Sequence, residues 1–104
     1  HSFFYDGMAL LLAQTAIQNG FDKELSPTER GFLYMPFMHS ESIIIHNQAK
    51  QLFNQPQMAD SYEFELKHAA IIDKFGRYPH RNNILGRQST PAEIAFLQQP
   101  DSSF

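Results

Sequence analysis

The sequence contains no cysteine and no tryptophan. Without cysteine there is no disulfide framework, no thiolate nucleophile and no thiolate metal ligand; the composition fits a reducing compartment, and a cytoplasmic location is expected. Apolar runs are short. The longest, Met8 to Ala13, falls well below the roughly 18 residues that span a bilayer, so no membrane insertion is expected. Basic residues are also scarce. Eight lysines and arginines face 11 aspartates and glutamates, for a net charge of -3. A sequence pI near 5.9 without a basic stripe argues against nucleic acid as a partner. Several catalytic signatures are missing: there is no phosphate-binding loop, no G-x-S-x-G, no H-E-x-x-H, no C-x-x-C and no EF-hand. No metal and no cofactor is expected, because the histidines and glutamates lack a diagnostic ligand spacing.

Sustained period-two alternation is absent as well. The single β-branched cluster, Ile43-Ile44-Ile45, lies inside a helical pattern, so an all-α fold of about five helices is expected. At 104 residues, with 42% hydrophobic content and ten phenylalanines to supply core volume, the chain suits one domain over residues 1–104. It begins at His1 and runs through Ser2-Phe3-Phe4-Tyr5-Asp6 straight into a helical pattern, which reads as a piece of a longer chain.

Met8, Leu11, Leu12, Thr15 and Ala16 follow helical spacing, and Asn19-Gly20 stops that first helix. Ser26-Pro27-Thr28-Glu29 combines an N-cap serine, proline at the first helical position and a capping-box glutamate, opening a second helix to about Met35. Pro36 is expected to end or kink it. A third helix is expected from about Glu41 to Asn54, with Ile45, Ala49, Leu52 and Phe53 facing inward, before Gln55-Pro56-Gln57 breaks it. The fourth, from about Ala59 to Phe75, carries two neighbouring stripes, Tyr62-Leu66-Ala69-Ala70 and Phe64-His68-Ile71-Ile72-Phe75, and reads as the central helix, closed by Gly76. Thr90-Pro91-Ala92-Glu93 repeats the capping pattern for a short fifth helix to about Gln98, and the tail from Pro100 is expected to fray. Connections this short favour antiparallel helix pairs, as in helical-repeat proteins, although no internal repeat is visible.

Positive charge gathers in one segment, Phe75-Gly-Arg-Tyr-Pro-His-Arg-Asn-Asn-Ile-Leu-Gly-Arg87, which holds no acid. Removing Arg77, Arg81 and Arg87 leaves 5 basic residues against 11 acidic, or -6. Arg77, His80, Arg81 and Arg87, with amides from Asn82 and Asn83, have the chemistry of an anion cradle, since guanidinium forks match phosphate and carboxylate oxygens. The same arginines can equally pair with the chain's acids and lock the loop. Two further places carry chemistry. In Met38-His39-Ser40-Glu41, His39 and Glu41 suit a general base with its orienting carboxylate, while Ser40 as N-cap and Glu41 at a helix start need no function at all. His68 lies mid-stripe on the most apolar helix, where a hydrogen-bonded core histidine is the plainer reading. His46, one position off the inward stripe beside Asn47 and Lys50, is expected to be solvated.

Pro36-Phe-Met-His-Ser-Glu41, His68, Phe75-Gly-Arg-Tyr-Pro-His-Arg-Asn82, Leu85-Gly-Arg87, Ser89-Thr90 and Glu93 together closely resemble the bacterial family catalogued as domain of unknown function 924. The resemblance covers essentially the whole chain. It implies an all-helical, tetratricopeptide-like architecture and identifies the chain as a C-terminal portion, since members carry a further N-terminal helical part with a D-Q-F-P-R-N-like segment. It also implies that His39, Glu41, His68, Arg77, His80, Arg81, Asn82 and Arg87 belong to the family pattern, with Tyr78 standing where phenylalanine is usual. It supplies no activity. Three functions compete: a domain binding an anionic small molecule or acidic peptide terminus through a His/Glu/Arg pocket; a hydrolase-type enzyme using His39 or His80 as acid/base with Arg77 and Arg81 stabilising negative charge; and a protein–protein interaction module.

Overall fold

Capping signals and apolar spacing translate into five α-helices and two 3-10 turns, with no strand among the described residues. The structure is a computed structural model and describes residues 6–100 and 102. Expectations for Ser2 to Tyr5, and for the tail at Asp101, Ser103 and Phe104, lie outside the described residues. Helix α1 is Asp6–Gln18, α2 Pro27–Met38, α3 Ile43–Phe53, α4 Ala59–Phe75 and α5 Pro91–Leu97. Each of the first four packs on its sequence neighbour, and α2 also touches α4.

Helix α1 has two apolar rows, and spacing alone does not say which one packs. Leu10, Ala13 and Ile17 face the core, whereas Met8, Leu11 and Leu12 of the expected row stand exposed. Gly20 follows in the left-handed region at φ 76°, leading into the 3-10 turn Phe21–Glu24. There the buried Asp22 carboxylate accepts from the Tyr34 hydroxyl. Arg30 donates to the carbonyls of Asp22 and Leu25, both at 3.0 Å, and to Gln55 Oε1 at 2.6 Å, tying two distant connections together.

Helix α2 opens with the expected capping box: the Glu29 amide donates to Ser26 Oγ, and the Ser26 amide to Glu29 Oε1. Pro36 does not end it. The helix continues to Met38 because proline forfeits only the bond to the carbonyl of Phe32, on the exposed side, while Phe37 and Met38 beyond it are buried. Helix α3 then starts later than expected. Its cap is Ser42, whose Oγ accepts from the Ile45 amide; Ser40 Oγ accepts from the Ser42 amide instead of capping. Glu41 is therefore outside the helix and available to other partners.

The main core joins Ala13, Tyr34, Phe37, Met38, Ala49, Phe53 and Met58, with Tyr34 edge-on to Phe53 at 5.7 Å. Helix α4 runs over the expected residues, but its buried face is Glu65, His68, Ala69, Ile71 and Ile72, with Phe64 and Leu66 exposed. Gly76 closes it at φ 73°. A second cluster, Ile71, Ile72 and Tyr78 with Phe75 and Phe96, fastens α5 and the loop to the outer end of α4. Helix α5 carries the second capping box, Thr90 with Glu93. Replacing Ser26 or Thr90 by alanine is expected to cost about 1 kcal/mol each in urea unfolding, and no loss in either variant would show these caps do not act.

Candidate functional site

The 77–87 loop is held by two carboxylates: Glu41, distant in sequence, folds it back onto the start of α3, and Glu93 ties it to α5. Gly76 reverses the chain, and the 3-10 turn Pro79–Arg81 brings the loop's basic residues over the Met38-to-Ser42 turn. Glu41 is the anchor. Its oxygens accept from Arg87 Nη1 at 2.8 Å and Nη2 at 3.0 Å, and from the Tyr78 amide at 2.7 Å. Arg87 also donates to the Tyr78 carbonyl and to Asn82 Oδ1, while Asn82 Nδ2 donates to Ser89 Oγ. Burial favours the uncharged acid at Glu41, yet the Arg87 and Tyr78 bonds and the charge of Arg81 together hold its carboxyl below the usual range.

A second lock lies farther along. Arg77 grips Glu93 in a two-pronged pair, Nε to Oε2 at 2.9 Å and Nη2 to Oε1 at 2.8 Å, and donates to the Gln88 carbonyl. Arg77 bonding, helped by the Thr90 cap, brings the Glu93 carboxyl down to about 2. Glu93 thus serves two partners, of which the capping pattern reveals only one.

Around Tyr78 the remaining candidates converge. The Arg81 guanidinium stacks over the Tyr78 ring at 4.8 Å and donates from Nη2 to the His39 carbonyl at 2.9 Å. His68 and His80 each lie 5.6 Å from the same ring, and His39 lies 6.3 Å from His68. His68 Nδ1 donates to the Phe64 carbonyl of its own helix at 2.7 Å, which fixes the tautomer and leaves Nε2 as the basic nitrogen. Burial lowers His68 to about 4. Burial and the neighbouring Arg81 charge lower His80 as well, against a bond to the Ser102 backbone. Both imidazoles are uncharged at neutral pH.

Beneath Tyr78 sits a group that helical spacing did not bring forward. His46, expected in solvent, is 1% exposed, because Ala49 and Phe53 continue its row at offsets of three and seven. Its Nδ1 lies 2.7 Å from Glu65 Oε2, itself 0% exposed. Its Nε2 donates to the Ser40 carbonyl at 2.6 Å and to the Tyr78 hydroxyl oxygen at 2.9 Å, since that hydroxyl spends its proton on the Met38 carbonyl. One proton is shared between Nδ1 and the carboxyl. Burial raises the Glu65 carboxyl despite the His46 bond, and burial raises the Tyr78 hydroxyl too.

Of the eight residues singled out from the sequence, Glu41, Asn82 and Arg87 form one lock, Arg77 belongs to the other, His68, His80 and Arg81 gather at Tyr78, and His39 lies beside His68 with its carbonyl accepting from Arg81. Tyr78, His46 and Glu65 complete the group and were missed; Glu65 shares a row with His68, Ala69 and Ile72, which was its signal. Among the described residues no cluster of three or more His, Asp or Glu side chains is placed to hold a metal ion. Nor is any described helix long and apolar enough to cross a membrane.

No curated protein matches the chain. A solved structure of a protein of unknown function from Agrobacterium tumefaciens, ATU0120, is 38% identical, with a TM-score of 0.87 over 92% of this chain. The chain spans about half the length of that structure, 54%. The model of the family described as "Bacterial protein of unknown function (DUF924)" matches residues 1–101, and the chain belongs to that family.

Proposed function

We propose that the chain binds an anionic small molecule, or the acidic terminus of a peptide, where the 39–41 turn meets the 77–87 loop. Arg81 is the charged contact, and His39, His68 and His80 supply the hydrogen-bonding walls. The observation that supports this reading is the gathering of the His68 and His80 imidazoles and the Arg81 guanidinium around one buried ring, with His39 beside His68. Arg77 and Arg87 have a different part in it. Each is engaged by a carboxylate, and together they fix the loop so that the site is formed before a ligand arrives, which lowers the ordering cost of binding. The proposal extends to a tetratricopeptide-like architecture, in keeping with consecutive helices packing on one another, and to a cytoplasmic setting, in keeping with the absence of cysteine.

A hydrolase-type reaction is the second reading. It is favoured by His68 and His80 being uncharged at neutral pH and so able to accept a proton, with Arg81 placed to stabilise negative charge. Binding precedes either outcome, so binding is tested first. Melting of the wild type and Arg81→Lys is followed in sodium phosphate against sodium chloride of equal ionic strength. The wild type is expected to gain stability with phosphate, reaching about 2.7 kcal/mol at a hundredfold excess over the dissociation constant. Arg81→Lys keeps the charge but not the planar fork, so it should lose most of that gain, read against its own phosphate-free melting, which falls because the stack on Tyr78 and the bond to the His39 carbonyl are lost. A wild type indifferent to phosphate, or a variant that gains equally, contradicts the proposal.

A further inference from the structure

We infer that the buried Glu65–His46 pair is the positioning element of the candidate site, holding both of its walls through one imidazole. The inference rests on the binding reading above and adds two residues to it that touch no ligand themselves.

His46 is bonded to both halves of the site. Through Nε2 it donates to the Ser40 carbonyl, in the peptide between His39 and Glu41, and to the hydroxyl of Tyr78, the ring against which Arg81, His68 and His80 lie. A histidine can make both bonds only with Nε2 protonated and its ring plane fixed. Glu65 fixes both. The Ser40 carbonyl accepts only, and the Tyr78 proton is committed to the Met38 carbonyl, so the Nε2 proton is obligatory. Nδ1 then meets Glu65 Oε2 across a single proton, and the ring cannot flip without breaking three bonds. Glu65 Oε1 is buried without a hydrogen-bond partner among the described residues, which suits an uncharged acid better than a carboxylate. The other charged or titratable groups acting on the pair are Lys50, on Glu65, and His68, on the imidazole.

A pair serving stability alone has no reason to contact both walls. An apolar replacement of similar volume would do as well or better, since buried ion pairs are frequently matched by hydrophobic side chains. That difference is the test. The double variant His46→Leu/Glu65→Leu removes the pair without stranding either partner, Glu65→Gln keeps a donor facing Nδ1, and Tyr78→Phe leaves the pair in place while removing the hydroxyl that links it to the loop, together with that hydroxyl's bond to the Met38 carbonyl. Each is titrated with sodium phosphate well below its own melting temperature, and the His68 and His80 imidazoles are titrated with acid by NMR.

The double variant and Tyr78→Phe are expected to bind phosphate about tenfold more weakly, the worth of about one hydrogen bond, and to move the His80 and His68 midpoints. Glu65→Gln should stay within about twofold of the wild type. Phosphate binding and imidazole midpoints that stay unchanged in the double variant would overturn the inference. If the double variant does not fold, Tyr78→Phe decides the matter in the same way with the core pair intact. If the wild type itself does not bind phosphate, the binding reading fails, and the imidazole midpoints alone decide whether His46 and Glu65 position these residues.

Discussion

Truncating Glu65 to alanine is expected to cost about 3–5 kcal/mol, the scale for breaking a buried pair by removing one partner. That is a large share of the roughly 5–15 kcal/mol that stabilises a domain of this kind. The reason lies in what stays behind: the His46 imidazole is 1% exposed, and without Glu65 its Nδ1 faces a cavity in α4. The double variant His46→Leu/Glu65→Leu should cost less than Glu65→Ala, because no imidazole is left facing a cavity and the Ser40 carbonyl is the one backbone acceptor that loses its donor. Equilibrium unfolding in urea measures both. A loss below about 1 kcal/mol for Glu65→Ala would mean the pair is not buried as described. The pH dependence has a definite sign. The folded carboxyl of Glu65 is raised above its ordinary 4.5, so its contribution is full below that value and fades as pH climbs through the raised one.

Glu41 runs the opposite way. Arg87→Ala removes two charge-assisted bonds to Glu41 together with those to the Tyr78 carbonyl and Asn82. Both side chains are about one quarter exposed, so solvent screens part of the loss, and about 2–3 kcal/mol is expected. Because the folded Glu41 carboxyl lies below 4.5, its stabilisation is present above that pH and is lost as pH falls through the lowered value. Arg87→Ala should therefore flatten the acid limb of the stability profile as well as lower its plateau. Urea midpoints collected across the acid range would show it, and an acid limb as steep as that of the wild type would assign the acid sensitivity elsewhere, Glu93 and the capping-box Glu29 being the other depressed carboxyls among the described residues.

Where a local rule decides an outcome, the sequence was readable. Ser26 and Thr90 cap their helices because their preference is local, and Gly76 stops α4 because a left-handed residue costs glycine little. Tertiary context decided the rest. Burial of Phe37 and Met38 carried α2 through a proline, and the shift of the α3 cap from Ser40 to Ser42 turned Glu41 from a helix-start residue into the anchor of a loop almost forty residues away. The arginine-rich segment was visible as a charge anomaly, but its partners were not. Arg77 and Arg87 pair with carboxylates and Arg81 has the Tyr78 face among its contacts, and nothing local announces any of these partners. His46 and Glu65 were concealed by a rule of thumb. A charged or polar residue beside an apolar stripe is normally solvated, and here two such residues on facing helices satisfied each other instead.

The division of labour among the three arginines is tested most directly by following the histidine ring resonances while phosphate is added at constant ionic strength. His39, His68 and His80 are expected to shift together along one saturable curve, His46 beneath Tyr78 to stay nearly still, and Arg77→Ala to destabilise the fold without abolishing those shifts. Ring resonances of His39, His68 and His80 that ignore phosphate, or shifts that vanish in Arg77→Ala but persist in Arg81→Lys, would contradict that division of labour.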